Sequence, residues 1–242
     1  MKFKLLLFLS LTVTIACSQD QTKKIAESPA AKKDFKDDWA NLSKYEKENA
    51  ALGQPKPGER RVVFLGSSVF EFWKQKDPEY FAGKAYLNRG VAGQISPQLL
   101  LRFRADVIDV KAKAVIILAG SNDIAANTGH ITNARIMDNV KSMVELAKAN
   151  KISVILCAYL PIIDYPWRKG IEPADKIIAL NKLIRAYAAE EKLVLLDYFT
   201  PFVNEVNGQK AELTTDGVHP NLKGYEIMEG ITDEAIAKAL RL

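Results

Sequence analysis

Short apolar runs alternate with longer amphipathic stretches along the chain from residue 61 onward. The runs that predict β-strands cover residues 61–65, 84–88, 114–119, 152–158 and 193–197. Three of these runs consist almost entirely of Val, Ile and Leu, which is typical of strands that are buried on both faces of a parallel sheet.

Helical spacing of apolar residues fills the segments between these runs. The predicted helices cover residues 69–76, 97–107, 133–149, 174–191 and 222–240. Parallel strands that are joined by helices require right-handed crossovers, which place helices on both faces of the sheet. The pattern therefore predicts a doubly wound, three-layer α/β/α fold with a parallel sheet of about five strands, similar to flavodoxin.

A short amphipathic helix is predicted ahead of the alternating region. Between residues 34 and 52, Trp39, Leu42 and Tyr45 recur at three-residue spacing among polar neighbours. Asp34 is a candidate N-cap for this helix.

The first sixteen residues have the pattern of an export signal. Lys2 and Lys4 precede an apolar core that is too short to span the ~30 Å of a bilayer interior. The core ends in Thr-Ile-Ala-Cys, which resembles a bacterial lipoprotein signal, although Thr14 replaces the usual aliphatic residue. We therefore expect a signal peptide over residues 1–16 and a lipid on Cys17. The alternative is plain secretion with an unmodified cysteine.

A lipid on that cysteine implies an exported protein that is anchored to a membrane of the bacterial cell envelope, in the outer membrane or periplasm. Residues 18–33 are polar and rich in Ala and Lys, so we predict a tether with a short helix over residues 17–57. The folded domain is predicted over residues 58–242. Cys157 then has no disulfide partner, and we expect it to pack as a small apolar side chain.

Composition and charge exclude several classes of protein. The 242 residues are 48% apolar and 26% charged, which is typical of a globular domain and unlike a disordered chain or a disulfide scaffold. The net charge of +5 is modest and comes with no basic stripe. We therefore predict no nucleic-acid partner.

Residues with catalytic potential follow the first three predicted strands. Ser68 starts a helix after the first strand, Gly93 lies in a turn after the second, and Asn122 follows the third. Ligands of doubly wound sheets bind at this edge, outside the carboxyl ends of the strands. Taken one at a time, these residues are equally explained as a helix N-cap and as ordinary loop residues.

A carboxylate and an imidazole occur together in a late loop. His219 titrates in the range that a general base needs, and Asp216 can orient its ring from three residues away. A metal-ligand pair and a surface loop are the alternatives. A metal site requires three or four ligands, and the other histidine, His130, is interpreted as incidental. We predict no metal and no cofactor.

Together these motifs resemble the SGNH hydrolase superfamily, also called GDSL-type esterases and lipases, over residues 61–242. The resemblance implies that Ser68, Asp216 and His219 form a catalytic triad. It also implies an oxyanion hole that is formed by the backbone N–H groups of Ser68 and Gly93 and by the side chain of Asn122. Ser67 stands where the family has the aspartate of Gly-Asp-Ser, a residue outside the triad.

The resemblance implies a serine ester hydrolase for short acyl groups, above all acetyl, on small-molecule or glycan oxygen esters. The alternatives are a lipolytic acylhydrolase of the platelet-activating-factor acetylhydrolase type and a non-catalytic flavodoxin-like protein that binds glycan or phosphate. Residues 160–173 are the candidate variable wall of the site. Candidates for a sugar platform, or else for partial core, are Trp73, Tyr159, Tyr165 and Trp167. Candidates for contact with an anionic group, or else for solvated surface, are Arg89 and Arg168.

Overall fold

A five-stranded parallel sheet forms the centre of the molecule in the computed structural model, which describes residues 38–241. The strands are β1 (Val62–Gly66), β2 (Tyr86–Gly90), β3 (Ala114–Ile117), β4 (Ser153–Ala158) and β5 (Val194–Asp197). Their spatial order is β2-β1-β3-β4-β5, and every neighbouring pair is parallel. This order confirms the predicted flavodoxin-like fold and places the reversal of winding between β1 and β3.

The helices of the described residues cover both faces of the sheet, as right-handed crossovers on either side of β1 require. They are α1 (Glu46–Ala51), α2 (Ser68–Lys76), α3 (Ser96–Phe103), α4 (Ser121–Ile124), α5 (Asn133–Ala149), α6 (Pro173–Glu190) and α7 (Leu222–Ala239). Helix α3 continues into a π-helical turn, and α5 has the predicted ends. The four-residue helix α4 was not predicted.

An aromatic cluster fills the core between β1 and helices α2 and α7. The ring of Phe64 on β1 lies 5.9 Å from that of Trp73, and Trp73 stacks between Tyr80 at 4.7 Å and Tyr225 at 5.4 Å. All four side chains are buried. The structure therefore places Trp73 in the core and not on a sugar-binding surface.

Residues 38–57 fold against the edge of the sheet. The predicted helix in this segment is a 3-10 turn at Leu42–Tyr45 followed by α1, and Asp34 lies outside the described residues. Tyr45 is buried and donates its phenolic hydrogen to the carbonyl of Gly90, whereas Trp39 and Leu42 are exposed. The described part of the segment that was predicted as a tether is thus in contact with the domain.

The guanidinium of Arg89 is buried under this segment. It donates to Asn49 Oδ1 at 3.0 and 2.8 Å and lies 4.7 Å from the centre of the Tyr45 ring. The interpretation of Arg89 as a solvated residue was therefore wrong, because its partners lie some forty residues upstream on α1 and cover it from the solvent.

Helix α2 begins in direct contact with the end of β2, because residue 90 is a glycine. A Cβ atom at Gly90 would lie 2.3 Å from the backbone nitrogen of Glu71 and 2.8 Å from the carbonyl oxygen of Ser67. Both of these atoms belong to the backbone, so a change of side-chain rotamer cannot relieve the overlap. The small residue on β2 thus determines how closely the first turn of α2 approaches the sheet.

Gly90→Ala is expected to lower the free energy of unfolding by about 1–3 kcal/mol, because the added methyl group overlaps backbone atoms. Gly230→Ala is the matched control, since it lies in α7 with open space around it. It should raise stability by about 1 kcal/mol through helix propensity. Urea denaturation measures both values, and a Gly90→Ala protein as stable as the wild type would contradict the close approach.

Candidate active site

Three side chains form a chain of hydrogen bonds at the carboxyl edge of the sheet. Ser68 Oγ lies 2.9 Å from His219 Nε2, and Nδ1 of the same ring lies 2.7 Å from Asp216 Oδ2. The structure therefore brings together, in the predicted order, the three residues that the sequence suggested as nucleophile, base and orienting carboxylate.

The fold places the hydroxyl of Ser68 at a helix N-terminus. Ser68 is the first residue of α2, two residues after the last residue of β1. Backbone N–H groups in the first turn of a helix have no acceptor within the helix, and their partial positive charge favours an anion there. The serine oxygen thus lies beside donors that suit a developing negative charge.

A tight turn orients the carboxylate of Asp216 toward the imidazole. Asp216 Oδ1 accepts the backbone N–H groups of Val218 at 2.9 Å and His219 at 2.8 Å. Gly217, which lies between Asp216 and Val218, has a φ of +81°, a backbone conformation that favours glycine. One carboxylate oxygen is thus held by the turn, and the other is free to accept a hydrogen bond from Nδ1.

These contacts lower the pKa of Asp216 below its usual value of 3.8. Partial burial alone would raise this pKa. The hydrogen bonds from the ring and the backbone of His219 and from the backbone of Val218 outweigh burial. The carboxylate is therefore ionised at neutral pH and available to stabilise an imidazolium.

Two aromatic rings lie beside the imidazole. The ring of Phe72 on α2 lies 5.0 Å from that of His219, and Trp167 lies 6.1 Å away at an angle of 30°. Trp167 is 47% exposed, whereas Tyr159 and Tyr165 are buried. Of the four aromatic candidates for a sugar platform, Trp167 is the one that the structure places on the surface beside the site.

The other two predicted oxyanion residues, Gly93 and Asn122, lie in a loop and a short helix that a hydrogen bond joins. Gly93, with a φ of +79°, follows β2, and its backbone N–H has no acceptor within residues 38–241. Asn122 lies in α4 and donates one amide hydrogen to the carbonyl of Gln94 at 3.0 Å. The second amide hydrogen of Asn122 remains available to a ligand.

Two carboxylates that the sequence did not single out form hydrogen bonds next to these donors. Glu71 on α2 accepts the backbone N–H of Ala92 and pairs with Lys44. Asp123, which is fully buried, accepts the backbone N–H of Ser96 at 3.0 and 2.9 Å and its hydroxyl at 2.5 Å. Burial raises the pKa of Asp123 even though the Ser96 hydrogen bonds lower it.

The sequence around these residues matches a known protein family. The model of the GDSL-like lipase/acylhydrolase family matches residues 64–227, which include every residue of the predicted triad and oxyanion hole. The chain belongs to this family. It is therefore a hydrolase of esters.

Solved structures of other members have the same fold. A Bacteroides thetaiotaomicron GDSL-like lipase is 47% identical, with a TM-score of 0.81 over 83% of this chain and 99% of its own. A candidate acylhydrolase from Bacteroides fragilis is 44% identical, with a TM-score of 0.82 over 84% and 99%. The uncharacterized lipoprotein YqeF of Bacillus subtilis is 35% identical over 81 residues, which is 32% of this chain. The match covers only a third of that relative's length.

Three further residues that the sequence singled out, Cys157, His130 and Arg168, lie elsewhere in the hydrolase domain. Cys157 is buried in β4, which confirms that it packs as a small apolar side chain, and burial raises the pKa of its thiol. His130 and Arg168 are exposed in loops. Cys17 lies outside the described residues.

Residues 38–241 contain neither a candidate metal cluster nor a helix suited to cross a membrane. No cluster of three or more His, Cys, Asp or Glu side chains there is arranged to hold a metal ion. Within the same residues, no helix combines the length and the apolar character that crossing a membrane requires.

Asp216→Asn is expected to make the unfolding free energy less dependent on pH at acidic values. Because the folded-state pKa of Asp216 is depressed, its contribution to stability is fully present above pH 3.8 and is lost as the pH falls through the lower folded value. The stability difference between wild type and Asp216→Asn should therefore be constant above that window and shrink below it. Urea denaturation at several pH values measures this stability difference. A difference that does not change with pH would contradict the depressed pKa of Asp216 in the folded protein.

Proposed function

We propose that this ester hydrolase cleaves short acyl oxygen esters, acetyl esters of small molecules or glycans above all, with Ser68 as the nucleophile. The observation that carries the proposal is the 2.9 Å contact between Ser68 Oγ and His219 Nε2. A nucleophile within hydrogen-bond reach of a base, which a third group orients, is the arrangement that activates a serine hydroxyl.

The reaction proceeds in two displacements. His219 Nε2 takes the hydroxyl proton as Ser68 Oγ attacks the acyl carbon, and Asp216 stabilises the resulting imidazolium. The tetrahedral intermediate collapses, the ester C–O bond breaks, and His219 gives the proton to the leaving alcohol. Water then attacks the acyl-enzyme with His219 again as the base, which releases the acid and regenerates Ser68.

The oxyanion of each intermediate is stabilised by donors that are in place before the reaction. We assign these donors to the backbone N–H groups of Ser68 and Gly93 and to the free amide hydrogen of Asn122. Two observations support this assignment. The Gly93 N–H has no acceptor within residues 38–241, and Asn122 donates only one of its two amide hydrogens, to the carbonyl of Gln94. Donors that need no reorganisation are a large source of rate enhancement in acyl transfer.

The surroundings of the site support a bulky polar alcohol as the leaving group. On the side of Asn122, the phenol of Tyr165 is buried and donates to the carbonyl of Ser121. On the open side, Trp167 presents an exposed ring near His219. The flat apolar face of an exposed indole suits the stacking of a sugar ring.

Ser68→Ala and His219→Ala are each expected to reduce kcat for p-nitrophenyl acetate by more than about 10³-fold, without additivity in the double variant, because the two groups act as a unit. Asn122→Ala should cost about 10²–10³-fold in kcat. A fluorophosphonate probe should label wild type and the control Ser67→Ala but not Ser68→Ala. A Ser68→Ala enzyme with wild-type turnover would refute the assignment.

Chain length decides between the proposal and the lipolytic alternative. The proposal predicts that kcat/KM falls from p-nitrophenyl acetate to the octanoate ester and that acetylated polysaccharide releases acetate in the presence of wild type but not of Ser68→Ala. A preference for the octanoate ester would favour the lipolytic enzyme instead.

We also propose that Cys17 carries the lipid that anchors the enzyme to the cell envelope, a proposal that the lipoprotein relative supports. Cys17→Ser expressed in a bacterial host should lose incorporation of radiolabelled palmitate and move to the soluble fraction. Cys157→Ala is the matched control because it removes the other cysteine and should keep both properties. Labelled, membrane-bound Cys17→Ser would overturn the anchor assignment.

A further inference from the structure

We propose that Asn127 is the positioning residue that holds the oxyanion donors in place and that Trp167 fixes the orientation of the Asn127 amide. The inference rests on the proposed function, because it concerns how the same oxyanion hole is built. Asn127 lies in the loop after α4, five residues beyond Asn122, and has no place in the triad.

The side chain of Asn127 joins three parts of the site. Its Nδ2 donates to Asn122 Oδ1 at 3.0 Å and to the carbonyl of Gly93 at 3.2 Å. Its Oδ1 accepts the indole N–H of Trp167 at 3.3 Å. Both amide hydrogens and the amide oxygen are thus used, and each contact goes to a different segment of the chain.

These three partners determine which way the Asn127 amide faces. The Gly93 carbonyl and Asn122 Oδ1 accept hydrogen bonds, whereas the indole of Trp167 only donates. A reversed amide would direct its oxygen at two oxygens and its nitrogen at an N–H. Trp167 therefore favours the orientation in which Asn127 donates toward the oxyanion hole.

The orientation of Asn122 follows from that of Asn127. Asn122 Oδ1 accepts from Asn127, and one Asn122 amide hydrogen goes to the carbonyl of Gln94. A reversed Asn122 amide would lose both hydrogen bonds and would present an oxygen to the ligand. Asn127 thus selects the state in which Asn122 offers a donor to the oxyanion.

Asn127 also restrains the loop that carries Gly93. On one side of Gly93, the Ala92 N–H donates to Glu71, and on the other side the Gly93 carbonyl accepts from Asn127. The Gly93 N–H lies between these two attachments. Contact with Asn127 thus restrains rotation of the backbone that carries the donor.

The first experiment separates positioning from folding. For p-nitrophenyl acetate, Asn127→Ala should lower kcat about 10–100-fold with KM within about two-fold, because donors made only for the transition state affect kcat. Asn127→Asp should lose more, since a carboxylate cannot donate and adds negative charge. Asn133→Ala is the matched control: it loses one hydrogen bond to the Lys176 carbonyl outside this network and should keep wild-type kcat.

The second experiment is a double-mutant cycle with Asn122→Ala. If Asn127 acts through Asn122, its removal should cost several-fold less in kcat when Asn122 is already alanine. A merely structural Asn127 would cost the same factor in both backgrounds, and that result would overturn the inference.

Trp167→Phe tests the other end of the network because it keeps an aromatic ring and removes the indole N–H. It should lower kcat about two- to ten-fold with KM unchanged, the range for one neutral hydrogen bond. In the Asn127→Ala background it should have no further effect on kcat. A rise in KM with wild-type kcat would assign Trp167 to substrate contact and overturn its part in the proposal.

Failure of this inference and failure of the proposed function give different results. Wild-type kcat per folded molecule in Asn127→Ala, alongside an inactive Ser68→Ala, would overturn the role of Asn127 and leave the serine mechanism intact. An active Ser68→Ala would overturn the proposed function, and the role of Asn127 with it.

Discussion

The hydrogen bond between Ser68 Oγ and His219 Nε2 joins two residues that are 151 positions apart, so it forms only when the whole domain is assembled. The position of Ser68 depends on β1, which ends at the carboxyl edge of the parallel sheet. It also depends on Gly90, which lets α2 approach β2. The position of His219 depends on the turn at Gly217 and on the carboxylate of Asp216. The site thus uses a fully buried strand of the sheet to hold one group and a surface loop to hold the other.

The opposite side of the site is built from polar groups that connect loops. Glu71 connects α2 to the loop after β2, Asp123 connects α4 to the start of α3, and Asn127 contacts both Gly93 and Asn122. Asp123 satisfies Ser96 donors that would otherwise be costly to bury, and together the three side chains restrain the segments that they connect. An oxyanion hole stabilises a transition state only when its donors need not move, so these contacts are part of the catalytic arrangement that we propose.

The fold could be predicted almost completely from the sequence, because continuous Val, Ile and Leu runs and helical periodicity report burial directly. Every predicted strand is present with ends that differ by no more than two residues. Helix α4 was missed because four residues carry no period. The burial of Arg89 was missed and that of Trp73 was left open between core and sugar platform, because both depend on side chains from distant segments, Asn49 for Arg89 and Tyr225 for Trp73.

The candidate site was predictable to the extent that its residues form motifs next to strands. The structure brings Ser68, Asp216 and His219 into contact. Asn127 carried no comparable signal, because an asparagine in a polar loop is ordinary and its partners lie in two other segments. Rapid-quench peptide mass spectrometry during the turnover of p-nitrophenyl acetate can detect the acyl-enzyme itself. One acetyl group should appear on Ser68 and disappear as turnover ends, whereas acetyl on another residue, or a burst of product with no acylated peptide, would refute the serine mechanism.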